Sequence, residues 1–391
     1  MKNYKYLIIG GGMTGDAAVK GIRERDEQSS IGMISSETEM PYNRPPLTKG
    51  LWKGKPLEKI WRGTDKHNVE FHLGCTVTKI DTAAKRVHDL EGEEYGYEKL
   101  LLATGGTTKR LPFGGEDIIY YRTLKDYQRL RALTETGERF LVIGSGFIGS
   151  EIAAALTMNG KQVFMVFHGN SIGENMYPPE LSKYVTDHYR LKGVELVHGD
   201  EVTELEKTGN SFKVKTRGGL IFEVDGVVAG LGIQPRDELA KSAGLQVDDG
   251  IIVNDRLQTS ATDIYAAGDV AIFPHITLGK NVRVEHEDNS LKMGKQAGRN
   301  MAGADEPYTH TPNFYSDLFE LNYEAVGQLS SKSEMVEDWE EPLQKGVVYY
   351  LSDGRVRGVL LWNIREKIKD ATALMAQAGP FKAEDLKGKI V

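Results

Sequence analysis

Cysteine is almost absent from this chain, which has only Cys75 among its 391 residues. A single cysteine excludes an intramolecular disulfide, a CxxC redox pair and a thiolate metal cluster within one chain. We expect Cys75 to act as a small apolar filler, and we predict no metal site. Any redox chemistry of this protein must therefore use something other than paired thiols.

Long apolar runs and basic blocks are also missing. No uninterrupted apolar stretch approaches the roughly 18 to 20 residues that cross a bilayer, so we expect no membrane span. The chain carries 49 basic and 56 acidic residues, a net charge of -7, which disfavours nucleic acid as a partner. The first apolar segment, Tyr6–Ile9, is too short for a signal-peptide core. We therefore expect a cytoplasmic protein.

Glycine, by contrast, is abundant, and it forms two fingerprints of the GxGxxG type. Gly10–Gly15 follows the apolar run Tyr6–Ile9, and Gly144–Gly149 follows the apolar run Phe140–Ile143. In this context the first glycine permits a tight turn, the second lets a pyrophosphate approach the backbone, and the third allows close packing of helix and strand. The alternative is two accidental matches in a glycine-rich chain. The context favours two dinucleotide-binding folds.

The order of elements after each fingerprint is the same. A second apolar strand comes next, then short alternating strands, then a closing strand that ends at Gly105 in one copy and Gly232 in the other. We interpret this as an internal duplication. The alternating strands lie around residues 70–80 and 86–90 in the first copy, and around 194–205 and 212–215 in the second. We predict that they form an antiparallel meander inserted into each parallel sheet.

Further elements follow the second copy. The segment Asp263–Asp269 reads as a strand that ends in a sharp Gly-Asp turn, and we expect it to return to the first sheet, with Asp269 facing the first ligand. A helix is predicted over residues 289–301, and a helical connector over residues 122–137 joins the copies. From residue 307 the pattern changes to aromatic-rich alternating strands, at 346–351 and 356–362, and one helix, at 366–377. This predicts a separate C-terminal α+β domain.

The predicted fold class is α/β, with two Rossmann-like dinucleotide-binding domains and the C-terminal domain. Ala103-Thr104-Gly105 and Gly268-Asp269 resemble motifs of the FAD-dependent pyridine-nucleotide oxidoreductases of the glutathione-reductase type. The segment Pro41–Lys49 resembles the flavin-proximal segment of the branch that contains ferredoxin and rubredoxin reductases and monodehydroascorbate reductase. The closer similarity is to the apoptosis-inducing-factor family. It rests on Val284–His286, Phe314–Asp317, Tyr323–Gly327 and Val359–Ile364.

This resemblance implies two cofactors, FAD and NAD(H), and a domain for each. Residues 1–122 and 244–309 would bind FAD, residues 123–243 would bind NAD(P)H, and residues 310–391 would form the C-terminal domain. Whether the second domain prefers NADH or NADPH stays open. After Phe167 the chain reads His168-Gly169-Asn170, with neither an acid for a ribose 2′-hydroxyl nor an arginine for a 2′-phosphate.

The resemblance also implies the residues around each cofactor. On the FAD side they are Gly10, Gly12, Met13, Thr14, Gly15, Glu37, Arg44, Lys49, Val77, Ala103, Thr104, Gly105, Arg122, Gly268, Asp269, His286, Glu287 and Tyr315. On the NAD side they are Gly144, Gly146, Phe147, Ile148, Gly149, Glu151, Gly232, Glu285 and Glu324. Two positions depart from the family, since its acidic residue falls on Ser36 beside Glu37, and its tryptophan is replaced by Tyr315.

Three of these residues are the predicted catalytic groups: Lys49, Glu151 and His286. The family pairs the first two positions next to the flavin ring, where a cation favours the anionic reduced form and the carboxylate holds the cation. Read without the family, Lys49 is equally a solvated surface lysine. Glu151 is equally a carboxylate that stabilises a helix start.

The predicted function is that of an FAD-dependent NAD(P)H oxidoreductase. Hydride would pass from NADH to FAD, and the electrons would then reach a quinone, oxygen or a small redox protein without a redox disulfide. The resemblance also implies a long-lived reduced flavin–NAD complex and a homodimer that forms with NADH. Two alternatives are a ferredoxin or rubredoxin reductase, and a redox-sensing protein whose oligomeric state responds to NADH.

Overall fold

The computed structural model describes residues 1–390, and the chain divides into two compact units. The first unit comprises residues 1–43, 57–107 and 234–312. The second comprises residues 44–56 and 108–233 and continues from residue 313 to the end of the described chain. No helix within residues 1–390 combines the length and the apolar character that crossing a membrane requires.

The strands, numbered in chain order, are β1 (Lys2–Ile9), β2 (Ile31–Ser35), β3 (Glu70–Leu73), β4 (Val77–Asp81), β5 (Arg86–Asp89), β6 (Glu94–Leu102), β7 (Gly106–Thr108), β8 (Ile118–Tyr120), β9 (Arg139–Ile143), β10 (Gln162–Phe167), β11 (Val194–His198), β12 (Val202–Thr208), β13 (Ser211–Thr216), β14 (Ile221–Val224), β15 (Gly226–Ala229), β16 (Ile233–Pro235), β17 (Val247–Asp248), β18 (Gly250–Ile252), β19 (Ile264–Ala266), β20 (Ala271–His275), β21 (Lys280–Arg283), β22 (Asn313–Leu318), β23 (Leu321–Gly327), β24 (Glu334–Glu341), β25 (Lys345–Ser352) and β26 (Arg355–Trp362).

The α-helices are α1 (Met13–Arg23), α2 (Leu124–Thr136), α3 (Phe147–Met158), α4 (Pro179–Leu191), α5 (Glu238–Ser242), α6 (Glu287–Met301), α7 (Ile368–Met375) and α8 (Ala383–Leu386). Short 3₁₀ helices cover Pro45–Leu47, Gly50–Lys53, Leu57–Ile60, Thr64–His67, Gly115–Asp117 and Gly268–Val270. The helices predicted over 122–137, 289–301 and 366–377 are confirmed as α2, α6 and α7, with shifts of up to two residues at their ends.

The first unit is organised by a mixed sheet in the order β3-β2-β1-β6-β5-β4, and β19 also pairs with β6. Strands β3, β2, β1, β6 and β19 run parallel to one another. The last four residues of β1, Tyr6–Ile9, are buried, as expected for a central strand covered on both faces. The pairing of β19 with β6 confirms that the third apolar strand returns to the first sheet. The unit also holds a smaller sheet, β17-β18-β20-β21.

The second unit contains three sheets. Its parallel sheet has the order β11-β10-β9-β15-β8, and beside it in sequence is the three-stranded sheet β12-β13-β14. The third is the antiparallel sheet β22-β23-β26-β25-β24, which confirms the aromatic-rich C-terminal strands. Its core includes the fully buried Trp362, whose ring lies 5.6 Å from that of Tyr177 and 5.9 Å from that of Tyr323, between centroids.

One expectation about the meanders is wrong. The residues around Glu70 and Val194 form β3 and β11, which pair in parallel with β2 and β10 and so belong to the main sheets. Only β4, β5 and the start of β6 are antiparallel in the first copy, and β12 to β14 in the second. Alternating side chains indicate a half-buried strand but carry no information on the direction of its partner.

The units also divide the chain differently from the predicted domains. Residues 44–56 and 108–122 group with the second unit, whereas the family resemblance assigns all of 1–122 to FAD binding. A buried hydrogen bond from the Tyr121 hydroxyl to the Leu47 carbonyl, 2.6 Å long, joins these two segments. The assignment of each cofactor to a stretch of sequence remains a prediction.

Candidate active site and cofactor-binding residues

The first fingerprint forms the turn between β1 and α1. Gly10 has a φ of +124°, and a Cβ added to Gly15 would lie 2.2 Å from the Gly10 carbonyl oxygen, so both positions require glycine. Gly12 precedes the first helical residue, Met13, and a Cβ added to Gly12 meets nothing within 4 Å. The turn is thus closed toward the sheet and open at the helix start, where the free N–H groups attract a phosphate. This geometry fits a dinucleotide.

Other predicted FAD-side residues follow strand ends at the same edge of the first sheet. Ile9 is in register with Ile34 and Leu102, and Leu102 with Ala266, so the carboxyl ends of four parallel strands are level. The residues that follow these ends are Glu37, Gly10, Ala103-Thr104-Gly105 and Gly268-Asp269. Two pairs of these segments are in close contact. A Cβ added to Gly10 would lie 2.1 Å from the Ala103 carbonyl oxygen, and a Cβ added to Gly268 would lie 2.3 Å from the Thr14 hydroxyl oxygen.

The residues predicted to meet the adenosine lie beyond the end of β2. The Tyr42 hydroxyl donates a hydrogen bond to Glu37 Oε2 over 2.6 Å, which orients that carboxylate. The Gly74 N–H donates to the Glu37 carbonyl over 3.0 Å, three residues before Val77. The structure therefore brings Val77 and Glu37 into one neighbourhood, as a shared ligand would require.

His286, another residue predicted for the FAD side, lies at the start of α6. His286 is the residue before Glu287, at which the helix begins, and the Ser290 hydroxyl donates to Asp269 Oδ1 over 3.1 Å. Loss of solvation lowers the pKa of His286 to about 4, although the nearby carboxylates of Asp269 and Asp288 act in the opposite direction. The imidazole is therefore neutral at pH 7.

Glu285 belongs to a different unit from the other residues predicted for the NAD side. It accepts a hydrogen bond from Arg283 Nη1 over 2.6 Å and belongs to the first unit. The second fingerprint belongs to the second unit. The arginine, which also donates to the Asp269 carbonyl oxygen, gives Glu285 a structural partner.

The second fingerprint repeats the geometry of the first between β9 and α3. Gly144 has a φ of +99°, and a Cβ added to Gly149 would lie 2.0 Å from the Gly144 carbonyl oxygen. A Cβ added to Gly146 or to Gly232, which follows β15, meets nothing within 4 Å. The backbone is again open where a pyrophosphate would approach, so these residues fit a second dinucleotide.

The helix start after this turn carries Phe147 and Ile148. Phe147 is 42% exposed, and its ring lies 5.7 Å from that of Phe314, between centroids, in an edge-to-face arrangement. An aromatic ring held in this way packs on one side and keeps the other side accessible. Phe147 therefore packs against Phe314 and also presents part of its ring to solvent at the helix start.

Lys49 and Glu151 form an ion pair in the second unit. Lys49 Nζ lies 2.6 Å from Glu151 Oε2, and the Thr48 hydroxyl donates to the same oxygen over 2.5 Å. The Ser316 hydroxyl donates to Glu151 Oε1 over 2.6 Å. Glu151 is only 4% exposed, and three donors compensate the burial of its charge. Lys49 is therefore not a freely solvated surface lysine.

The surroundings of this pair include two more predicted residues. Lys49 Nζ lies 5.3 Å from the centre of the Tyr315 ring, and Tyr315 is directly opposite Glu324 across β22 and β23. Glu324 Oε2 accepts the N–H of Glu366 over 3.2 Å. The cation is thus held between a carboxylate and an aromatic face.

The remaining FAD-side predictions in the second unit are two arginines. Arg44 Nη1 donates to the carbonyl oxygen of Arg122 over 3.1 Å. This contact brings together two residues that are far apart in sequence and that the resemblance assigns to one ligand. Their roles, like those of the other site residues, stay predictions.

The reasoning from sequence missed Thr48 and Ser316 as partners of Glu151. Each is adjacent to a residue that was singled out, Lys49 and Tyr315, but no sequence signal links either to a carboxylate more than 100 positions away. It also missed the fully buried Asp16, which accepts hydrogen bonds from Thr64 and Arg62 and holds the start of α1. Within residues 1–390 no cluster of His, Cys, Asp and Glu could hold a metal ion.

Two dinucleotide-binding turns at the edges of parallel sheets, together with a C-terminal antiparallel sheet, place this protein in the class of oxidoreductases that bind two dinucleotides. The model of the family "Pyridine nucleotide-disulphide oxidoreductase" matches residues 4–294, and that of "Apoptosis-inducing factor, mitochondrion-associated, C-term" matches residues 297–341 and 330–377. The chain therefore belongs to the pyridine nucleotide-disulphide oxidoreductase family, and within it to the apoptosis-inducing-factor-like flavoproteins.

Known relatives agree with this assignment. Apoptosis-inducing factor 1 of Dictyostelium discoideum is 34% identical, over 96% of this chain and 79% of its own length. Monodehydroascorbate reductase 3 of Arabidopsis thaliana is 32% identical, over 97% of this chain and 94% of its own. Putidaredoxin reductase, solved in a covalent complex with putidaredoxin, superposes with a TM-score of 0.90 at 28% identity, over 98% of this chain and 95% of its own. The protein is an FAD-dependent NAD(P)H oxidoreductase.

Proposed function

We propose that this protein passes electrons from NADH through FAD to an external acceptor with no thiol between them. The observation that carries this proposal is the cysteine content, because a redox disulphide needs two cysteines. Cys75 is the only cysteine of the chain and is half-buried. Its Sγ lies 3.7 Å from the Leu73 carbonyl oxygen, in the turn between β3 and β4. A dithiol relay needs two thiols, and the flavin-proximal segment Pro41–Lys49 contains no cysteine, so in this proposal the acceptor takes electrons from the flavin directly.

The open turn at Gly12 would hold the pyrophosphate of FAD, with Glu37 on the ribose and Asp269 on the ribitol chain. When bound, FAD accepts a hydride from NAD(P)H and releases the two electrons singly or together. The open turn at Gly146 would hold the nicotinamide dinucleotide, whose ring would be guided by Phe147. Electron balance is complete with one two-electron acceptor or two one-electron acceptors.

Lys49 is the residue to which we assign charge stabilisation. Its ammonium group would act next to the flavin, where a cation would stabilise negative charge. Glu151 and its two hydroxyl donors restrict the ammonium group to one position. His286, which is neutral at pH 7, would add a hydrogen-bonding group without adding a second cation.

Anaerobic titration of the yellow protein with NADH tests the proposal. We expect bleaching of the flavin by one equivalent of NADH, followed by reoxidation when an acceptor is added. Treatment with a thiol-alkylating reagent should leave both steps unchanged, which serves as the control for the absence of a thiol relay. A protein that loses turnover on alkylation, or that NADH cannot reduce, would overturn the proposal.

The protein has three candidate roles, two of which differ in the electron acceptor. The similarity to putidaredoxin reductase supports a small iron–sulfur or rubredoxin-type partner, whereas the apoptosis-inducing-factor C-terminal model supports slow turnover with quinone or oxygen. The third candidate is a redox sensor, in which a long-lived reduced flavin–NAD complex favours a homodimer in the cytoplasm. Turnover with purified ferredoxin, rubredoxin and a soluble quinone, together with the molecular mass before and after NADH, distinguishes them.

A further inference from the structure

The two copies of the fold end their second strands differently. β2 ends at Ser35, and the carboxylate of Glu37 follows two residues later. β10 ends at Phe167, and the residue at the same offset is Gly169. In Rossmann folds an acid at this place accepts a hydrogen bond from the adenosine ribose. The second copy thus has no carboxylate on its own backbone at the ribose position.

The structure supplies a carboxylate to this place from later in the loop. A Cβ added to Gly169 would lie 2.2 Å from Glu174 Oε1, and Glu174 Oε2 accepts the Asn170 N–H over 2.7 Å. The carboxylate of Glu174 therefore occupies the space in which a side chain of residue 169 would begin. Glycine at 169 is the residue that leaves room for it.

The loop that carries Glu174 is anchored to α4. The Ile172 N–H donates to the Thr186 hydroxyl over 2.9 Å, and the Ser182 hydroxyl donates to the Ile172 carbonyl over 2.7 Å. Gly173 turns the chain with a φ of +72°, and the Tyr177 N–H donates to its carbonyl over 2.9 Å. The fold consequently fixes the backbone from which the Glu174 side chain projects, and the Asn170 N–H then holds its carboxylate.

Two basic side chains near this strand end, His168 and Arg217, already have an acidic partner. His168 Nε2 lies 3.3 Å from Glu201 Oε2, and Arg217 forms an ion pair with the same carboxylate. Asp200 lies beside them and accepts the Gly218 N–H over 3.0 Å. A ribose 2′-phosphate carries between one and two negative charges at pH 7. Such a group would meet an excess of carboxylates here.

We propose that Glu174 selects NADH over NADPH by accepting the hydrogen bond of the ribose 2′-hydroxyl in the place of residue 169. The inference rests on the proposed function, because it concerns the nucleotide of the same reaction. Its chemistry needs one acceptor oxygen for the hydroxyl donor, and the negative charge then repels a 2′-phosphate. Arg217 is the rival residue, since an arginine released from Glu201 would bind that phosphate.

Nucleotide binding to the oxidised holoprotein tests this inference without depending on turnover. The dissociation constants of NAD⁺ and NADP⁺ are measured by calorimetry for the parent and for Glu174→Gln. We expect the parent to prefer NAD⁺ and the variant to lose that preference by about ten-fold or more, the effect of one hydrogen bond to a charged group. Glu180→Gln, an exposed carboxylate in the first turn of α4, is the matched control and should leave the ratio unchanged.

A relocation variant separates the position of the charge from the integrity of the loop. Glu174→Ala combined with Gly169→Asp puts an acid directly on residue 169, whose backbone lies outside the left-handed region. We expect it to regain the NAD⁺ preference that Glu174→Ala alone loses. A parent that prefers NADP⁺, or an unchanged ratio in Glu174→Gln, would overturn the inference. Bleaching by NADH tests the proposed function separately, so the two failures can be told apart.

Discussion

The buried pair Lys49–Glu151 supports a prediction that can be worked out from its geometry. Glu151 is 4% exposed, the Lys49 side chain is 14% exposed, and their charged atoms are 2.6 Å apart. Removing one partner of a buried ion pair typically costs about 3 to 5 kcal/mol, because the other charge stays buried. Thr48 and Ser316 still donate to Glu151 after Lys49→Met, so we expect the lower limit, about 3 kcal/mol, for that variant.

The double variant discriminates between a coupled pair and two independent side chains. Lys49→Met with Glu151→Gln removes both charges, and the combined loss should be smaller than the sum of the single losses by about 1 to 3 kcal/mol. The measurement is denaturant unfolding of the parent, the two single variants and the double variant at the same saturating FAD concentration, with circular dichroism as the signal. Equal denaturant slopes for the four proteins are needed for the comparison.

An exposed ion pair in the same unit provides the control. Lys183 and Asp187 lie one turn apart on α4, 2.7 Å from each other, with side chains 72% and 43% exposed. Their coupling in the cycle Lys183→Met and Asp187→Asn should stay below about 0.5 kcal/mol. If the Lys49–Glu151 cycle is as additive as this control, the buried pair is not a coupled unit in solution. If Lys49→Met is reduced by NADH as fast as the parent, its assigned role in catalysis is wrong.

Three further predictions follow from single residues. Gly12→Ala and Gly146→Ala each add a Cβ that meets no protein atom within 4 Å, so both variants should fold normally. Gly12→Ala should lose FAD affinity, as measured by flavin absorbance. Gly146→Ala should keep FAD but lose NADH affinity, as measured by nucleotide titration. Tyr42→Phe removes the 2.6 Å hydrogen bond to Glu37 and should weaken FAD binding about ten-fold if the carboxylate needs that support, whereas unchanged FAD affinity would contradict the role of Glu37. The pKa of His286 is about 4 in the folded protein, below its ordinary value near 6.5, so the unfolded chain takes up the proton first as pH falls. The unfolding free energy of the apoprotein should therefore decrease from about pH 6.5 to pH 4. If His286→Asn shows the same dependence of unfolding free energy on pH as the parent, this prediction is wrong.

The sequence predicts the parts of this fold that depend on local pattern. An apolar run, a glycine fingerprint and a following helix lie next to one another in the chain, and both turns have the predicted geometry at Gly10 and Gly144. The return of β19 to β6 was predictable from its sharp terminal turn. The direction of β3 and β11 was not, because strand alternation is the same in parallel and antiparallel partners.

The site was predictable to the extent that it consists of backbone and neighbours in sequence. The partners of Glu151 come from three distant segments, at Thr48, Lys49 and Ser316. Hydroxyl groups are common, and their choice of acceptor is decided by which strands and helices pack together. A family resemblance could name the lysine and the carboxylate, but the two hydroxyls emerged only from the folded chain.

The ribose position of the second copy shows why the absence of a residue type from a motif is weak evidence. His168-Gly169-Asn170 offers no acid, and a reading of sequence positions leaves the nucleotide preference open. A binding site responds to the charge that occupies a volume, whichever residue carries it there. The absence of a side chain at Gly169 leaves room for the Glu174 carboxylate, so the glycine and the acid act together although they are at different sequence positions. The same duplication that aligns Gly169 with Glu37 therefore predicts where the charge is needed, and the loop anchored on α4 delivers it.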